Sequence, residues 1–239
     1  MERPEDRSGD NLYPVTFSQA FGDVEVHLDV PAGVWNPTPH GVHLGKMLLG
    51  LDFSGEHVLE LGTGCGIHAI LLARQGAVRL TLTEIDAATN ENAAHNLRKN
   101  GVDLPVTYHV ADWTAVPGAS YTGGAPWDAV VTNPPFAKSG KRFRRYFIET
   151  LILDAHKLVK PGGRLVFIQS SMADIPRSVR LMEENGMRVR IVGETDGPFR
   201  DYYYEDEAYM REMAAIPHGY QMRDGQHYER LIVFEATLP

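Results

Sequence analysis

A short apolar run, His57–Leu61, opens directly onto glycines at 62, 64 and 66, and a helical stretch over 66–75 follows it. Few folds accept that order. The backbone has to turn within a few residues, and glycine at alternate positions lets it turn tightly and approach a ligand closely. The same alternation continues downstream: a strand over 79–83, a helix over 87–100, strands over 106–110 and 129–132, a helix over 143–159, a strand over 164–170, a helix over 175–185 and a strand over 187–193. Short apolar runs separated by helices predict βαβ units and a mostly parallel sheet of the α/β class. Lys160-Pro161-Gly162-Gly163 reads as a helix stop and a tight turn into the fifth strand. A last strand over 228–237 is predicted to pair antiparallel with the 187–193 strand.

Two further features flank this pattern. Alternating runs over 13–20 and 24–30 around Phe21-Gly22-Asp23 predict a β-hairpin, and the turn-rich Val34-Trp35-Asn36-Pro37-Thr38-Pro39-His40-Gly41 leads into a helix marked by Val42, Leu44, Met47, Leu48 and Leu51. Thr38 or His40 marks its start. Between the last two strands, residues 194–227 are too long for a hairpin loop and read as an insertion. It holds Asp201-Tyr202-Tyr203-Tyr204-Glu205-Asp206-Glu207 and a helical stretch over 208–215. The expected organisation is a tail, hairpin and helix flap over 1–52, then one domain over 53–239 carrying the insertion.

Composition narrows the chemistry. The one cysteine, Cys65, excludes an intrachain disulfide and a multi-cysteine zinc site, and between two glycines it suits packing better than catalysis. Ten histidines lie scattered without metal-ligand spacing, so no metal is expected. No apolar run reaches the roughly 20 residues that span a bilayer. The charged start of the chain lacks the apolar stretch of a secretory signal, and a cytoplasmic location is expected. A net charge of −8 disfavours nucleic acid as a partner, because nucleic-acid binding usually leaves a basic footprint.

The chemically loaded segment is Asn133-Pro134-Pro135-Phe136, delivered by the run Trp127–Thr132. An amide side chain and a carbonyl outside a sheet can both accept hydrogen bonds from one NH2 group. Proline fixes its own φ and biases the preceding residue toward extended backbone, so the display is stiff. Phe136 can stack on a flat acceptor group. Alone, the segment could also be a turn after a buried strand.

Taken together, the loop from Glu60 to Gly66, Glu84 at the next strand end, Ala111-Asp112-Trp113, Asn133-Pro134-Pro135-Phe136 and Lys160-Pro161-Gly162-Gly163 resemble the class I S-adenosylmethionine (SAM)-dependent methyltransferases. Within them the chain looks most like the HemK-like and NPPY-type N-methyltransferases. The resemblance covers about residues 34–170 and implies a Rossmann-like sheet, mostly parallel with the last strand antiparallel, and SAM as cofactor. It implies Glu60, Gly62, Gly64 and Gly66 near the methionine and ribose part, Glu84 on the ribose, Asp112 on the adenine amine and Trp113 beside the adenine. Asn133, also near the cofactor, and the Pro134 carbonyl would hold the acceptor nitrogen, with Pro135 stiffening the motif and Phe136 stacking on the acceptor. Val34-Trp35-Asn36-Pro37 is similar to the Val-Tyr-x-Pro segment of some relatives, while His40-Gly41 replaces the acidic-threonine pair that follows there; this departure counts against a protein-glutamine substrate.

Two features near the motif bear on the acceptor, and they disagree. Lys138, Lys141, Arg142, Arg144 and Arg145 could grip a phosphate or carboxylate, whereas Asp201, Glu205, Asp206 and Glu207 could draw in a cation with tyrosines capping it. Trp35, His40, Phe136, Arg142, Tyr202 and Tyr203 are the candidate acceptor contacts. The leading expectation is N-methylation of an amide, guanidino or amino group of a small molecule or polypeptide, with the insertion as a lid. Methylation of an exocyclic amine of an RNA or DNA base and a non-catalytic SAM-binding subunit are the alternatives, and a homodimer through the hairpin or insertion stays open.

Overall fold

The computed structural model describes residues 13–112, 115–116, 126–134 and 145–239, and of residues 201 and 202 the backbone alone. They belong to two compact units, Met1–Gly118 and Ala119–Pro239.

The first unit begins with the expected hairpin. Strands β1 (Val15–Phe21) and β2 (Val24–Val30) pair from Val15↔Val30 to Phe21↔Val24 around the two-residue turn Gly22-Asp23. Val26, Leu28 and Val30 on β2 are buried. Helix α1 (Pro39–Leu48) starts at Thr38, whose hydroxyl accepts the Gly41 N–H at 3.3 Å, with Pro39 in the first turn where no donor is needed. Strands β3 (His57–Leu61), β4 (Arg79–Glu84) and β5 (Val106–Val110) pair parallel, linked by helices α2 (Ile67–Arg74) and α3 (Ala87–Lys99). From Val58 to Leu61 β3 is buried throughout, the signature of a strand covered on both faces.

The hairpin is held by side chains rather than by another strand. Asn92, Asn96 and Asn100 recur every fourth residue along one face of α3 and its C-cap. Asn96 accepts the Asp29 N–H at 2.9 Å and donates to the Asp29 carbonyl at 3.0 Å. Asn100 does the same for His27 at 2.9 and 2.7 Å, and Asn92 donates to the Asp29 carbonyl at 2.8 Å. These amides satisfy the free edge of β2 as a neighbouring strand would.

In the second unit β6 (Trp127–Thr132) pairs parallel with β7 (Val159–Ser170). The helix expected over 143–159 is two pieces, α4 (Tyr146–Leu153) and α5 (Ala155–Leu158), divided at Asp154, where the Lys157 N–H turns back to the Asp154 carbonyl. Pairing jumps from Trp127↔Val159 to Ala129↔Arg164, so the expected turn at 160–163 bulges out within the strand. After a 3-10 turn (Ser171–Ala173) and α6 (Ile175–Glu184) comes β8 (Arg188–Pro198), which runs five residues beyond its expected end. Helices α7 (Asp201–Glu205) and α8 (Glu207–Ala214) and strand β9 (Gln221–Arg223) follow, leading into β10 (Gln226–Thr237).

As expected, β10 is antiparallel to β8. It also pairs antiparallel with β7, lying between the two. Phe167 and Phe234 face each other across this pairing at 5.5 Å. Glu235 of β10 ties the layer sideways, accepting from Arg164 on β7 at 3.3 Å and Arg190 on β8 at 2.8 Å. The class is α/β, mostly parallel with an antiparallel last strand. Among the described residues no helix is long and apolar enough to cross a membrane.

Candidate functional site

Glycines 62, 64 and 66 stand at φ of +69°, +53° and +86°, a region that disfavours other residues. The loop is pinned from β4, whose Thr83 carbonyl accepts the N–H groups of Gly62 and Thr63, both at 3.0 Å. The three glycines differ in what surrounds them. A Cβ on Gly66 would stand 2.8 Å from Leu97 Cδ1 and 3.3 Å from Ala93 Cα, so here glycine lets α3 pack against the loop. A Cβ on Gly62 or Gly64 would meet no atom within 4 Å. Those two leave open space that a ligand can fill.

Glu60 sits behind the loop. It is fully buried, and its oxygens accept from Thr63 Oγ1 at 2.8 Å and His68 Nδ1 at 3.1 Å. The other nitrogen of His68 faces the Gly41 carbonyl at 2.9 Å. The ring therefore bridges Glu60 behind the loop and the Gly41 carbonyl at the start of α1. A carboxylate so enclosed shapes the loop; it does not offer oxygen to a bound molecule, as the resemblance had implied.

Glu84 is placed differently. One oxygen accepts the Gly64 N–H at 3.0 Å and the other the Ile85 N–H at 2.9 Å, which among the described residues leaves each oxygen a further lone pair at the edge of the loop. Burial pushes its carboxyl above the ordinary range, against the opposing pull of the two N–H groups. Asp112 lies exposed just past β5, and its carbonyl closes a turn with the Ala115 N–H at 2.9 Å. Cys65 is buried and desolvation raises its thiol to about 12, in keeping with a packing role.

In the second unit Asn133 and Pro134 leave β6 at its carboxyl end, the end at which open α/β sheets bind ligands. Pro134 is buried and Asn133 half-buried, and the Asn133 carboxamide has no hydrogen-bond partner among the described residues. Thr132 pairs with Phe167, so Pro134 follows level with Gln169 of β7. Gln169 is buried; its amide nitrogen donates to the Ala173 carbonyl at 2.9 Å and its oxygen has no partner among the described residues.

The excursion after β8 folds at this same end. β10 continues past Ser170, and β9 takes the place that β7 vacates, with Tyr228 paired to both Pro198 and Gln221. Ser171 closes the gap, donating to the Gly219 carbonyl at 2.7 Å and accepting the Arg230 N–H at 2.9 Å.

Other expected contacts are committed elsewhere. Tyr203 is buried among Met172, Phe199, Tyr209 and Met213 and supports the excursion from inside. Arg145 donates to the carbonyls of Ala173 and Asp174, to Ser178 and to Glu149, so its buried guanidinium braces the turn before α6 and does not reach for phosphate. His40 is buried and Trp35 half-exposed. Trp113, Pro135, Phe136, Lys138, Lys141, Arg142 and Arg144 lie outside the described residues, as does the side chain of Tyr202. Sequence reasoning missed His68, Gln169 and Asn96. Only the four-residue spacing of the α3 asparagines could have signalled any of them.

Charge is divided between the units. Residues 1–118 hold 7 Lys and Arg against 15 Asp and Glu, and residues 119–239 hold 16 of each, so the net charge of −8 lies wholly in the first unit.

The chain is similar over 151 residues, 34% identical, to a ribosomal RNA small subunit methyltransferase C of Pseudomonas aeruginosa, covering 62% of this chain and 41% of that protein. A Methanocaldococcus jannaschii protein, provisionally named a protein N5-glutamine methyltransferase, is 24% identical over 191 residues, 74% of this chain and 92% of its own length. The chain spans 29–41% of the length of the ribosomal RNA relatives it matches. In fold it is like the Thermus thermophilus 16S rRNA N2 G1207 methyltransferase solved with AdoMet and guanosine, with a TM-score of 0.62 and 20% identity over 95% of this chain and 51% of that one. RNA and protein methyltransferases thus both appear among the relatives, and the expectation that nucleic acid is disfavoured finds no support in them. The family profile described as methyltransferase small domain matches residues 44–199, and the chain belongs to that family.

Proposed function

We propose that the chain is a SAM-dependent N-methyltransferase acting on a planar NH2 group. The observation that carries this reading is the end of β6: a half-buried carboxamide without a partner among the described residues, followed by a buried proline. When bound, SAM supplies an electrophilic methyl group on a sulfonium. Gly62 and Gly64 would leave it room, Glu84 would accept the ribose hydroxyls and Asp112 would accept from the adenine amine. Asn133 Oδ1 and the Pro134 carbonyl each accept one hydrogen of the acceptor NH2. That orients the nitrogen lone pair and raises its electron density, and positioning of this kind contributes several kcal/mol. With the methyl group passing from sulfur, which would keep the bonding pair, to this nitrogen, Asn133 and Pro134 would hold the nitrogen through the transfer and its excess proton would leave to water.

The acceptor is an amide, guanidino or amino group of a small molecule or polypeptide, or the exocyclic amine of a nucleic-acid base. The sum of −8 does not by itself exclude the latter, since residues 119–239, which include Asn133 and Pro134, balance in charge. The fold of the 199–225 excursion beside the carboxyl end of β7 supports its role as a lid.

The test uses labelled SAM with free arginine and glutamine, a glutamine-containing peptide and ribosomal RNA, comparing the wild type with Asn133→Ala. We expect turnover on one class and a loss of about 100-fold or more in kcat for the variant, at SAM affinity within about threefold. Full turnover by Asn133→Ala would remove the mechanism.

A further inference from the structure

We propose that Asn96 is a positioning residue of the cofactor loop, and that through it the N-terminal hairpin supports cofactor binding. The inference rests on the SAM reading above. Asn96 is fully buried, and one of its N–H groups donates to the Cys65 carbonyl at 3.0 Å. A flip of the Cys65–Gly66 peptide plane turns on ψ of Cys65 and φ of Gly66, and Gly66, at φ of +86°, is a residue that adopts both signs of φ. Both ends of that peptide are held, the carbonyl by Asn96 and the Gly66 N–H by the Thr63 carbonyl at 2.9 Å.

The rest of the Asn96 amide belongs to the hairpin. Its oxygen accepts the Asp29 N–H at 2.9 Å and its second N–H donates to the Asp29 carbonyl at 3.0 Å. One rigid, planar group therefore fixes both the loop carbonyl and the seat of β2. When the hairpin lifts, the amide is free to rotate and the loop loses its clamp. When a ligand orders the loop, the amide is held where β2 needs it.

The molecule contains its own control. Asn100 makes the same two bonds to His27, at 2.9 and 2.7 Å, and its other side-chain bond, at 2.8 Å, goes to the Asn96 carbonyl and not to the loop. A purely structural role predicts that the two asparagines behave alike. Positioning predicts that they part on cofactor affinity.

The experiment measures binding of S-adenosylhomocysteine by calorimetry, together with thermal denaturation, for the wild type, Asn96→Ala and Asn100→Ala. We expect both variants to melt earlier, with affinity about tenfold weaker for Asn96→Ala and within about twofold for Asn100→Ala, as for loss of one buried hydrogen bond. Equal affinities in the two variants overturn the inference alone. A wild-type chain that does not bind the nucleoside overturns the cofactor reading and this inference with it. Hydrogen exchange on the unaltered chain decides the matter without a variant: the ligand should slow exchange of the Asp29 amide more than that of His27. Equal slowing, or none, refutes the coupling.

Discussion

Alanine at the three loop glycines should separate packing from ligand contact. All three have positive φ, so each alanine carries a left-handed cost of about 1–2 kcal/mol. At 62 and 64 nothing is added, because the new methyl meets no atom within 4 Å. At 66 it meets Leu97 Cδ1 at 2.8 Å and Ala93 Cα at 3.3 Å. Leu97 can rotate away at its tip, but the Ala93 backbone retreats only if α3 shifts, which places the overpacking toward the lower part of its usual range, about 1–2 kcal/mol. Gly66→Ala should therefore lose about 2–4 kcal/mol, against about 1–2 for the other two. At about 2–4 °C per kcal/mol for a chain of this size, Tm should fall by about 5–15 °C at position 66 and about 2–8 °C at 62 or 64. SAM affinity should rank the other way relative to stability: Gly62→Ala and Gly64→Ala should bind at least about tenfold more weakly despite their mild loss, since on the proposed reading their methyl groups would project into the space left for the ligand. Calorimetry with SAM beside thermal denaturation reads both quantities. The reasoning fails if Gly66→Ala is no less stable than Gly62→Ala, or if both mild variants bind SAM like the wild type.

Two further expectations concern charge. The raised Glu84 carboxyl binds its proton more readily folded than unfolded, so its contribution to stability falls as pH rises from the ordinary 4.5 through the raised value. Cofactor affinity should run oppositely, weakening as pH drops through that window because the ionised form is the better acceptor for ribose hydroxyls. Glu84→Gln should flatten both trends and weaken SAM binding by about tenfold or more; an unchanged pH profile in the variant would assign the titration to another group. Arg145→Met removes a buried guanidinium from Glu149, Ser178 and two carbonyls, and should cost about 3 kcal/mol of stability in urea denaturation. Loss of acceptor binding at unchanged stability would instead return Arg145 to the substrate site.

What the sequence showed and what it hid follow from the range of the forces involved. The strand, glycine loop and helix from His57 to Arg74 were legible because periodicity and left-handed turns are local properties. So was the hairpin at Gly22-Asp23, and so was the antiparallel partner of the 187–193 strand. The asparagines of α3 looked like an ordinary polar face: four-residue spacing puts them on one side of a helix, but only the tertiary fold supplies the strand edge they satisfy. Glu60 was misjudged for a related reason. An acidic residue beside a glycine loop suggests ligand contact, yet His68, eight residues on, closes over it, and nothing local shows that the ring will turn inward.

Arg145 carries the same lesson into the question of the acceptor. It ends a run of five basic residues, and by sequence it is indistinguishable from the four before it. Burial against Ala173, Asp174 and Ser178 takes it out of the count of charges available to a substrate. Summed charge is a poor guide for a second reason: the excess acid falls in residues 1–118 and residues 119–239 balance, so a total of −8 does not report the charge around Asn133 and Pro134. Attraction falls off over a Debye length of about 8 Å at physiological salt. The acceptor is therefore selected by the charges and rings close to Asn133, and a salt series on methyl transfer reads them directly. A rate that falls steeply with salt marks a phosphate backbone, and a flat one an amide or amine held by hydrogen bonds alone.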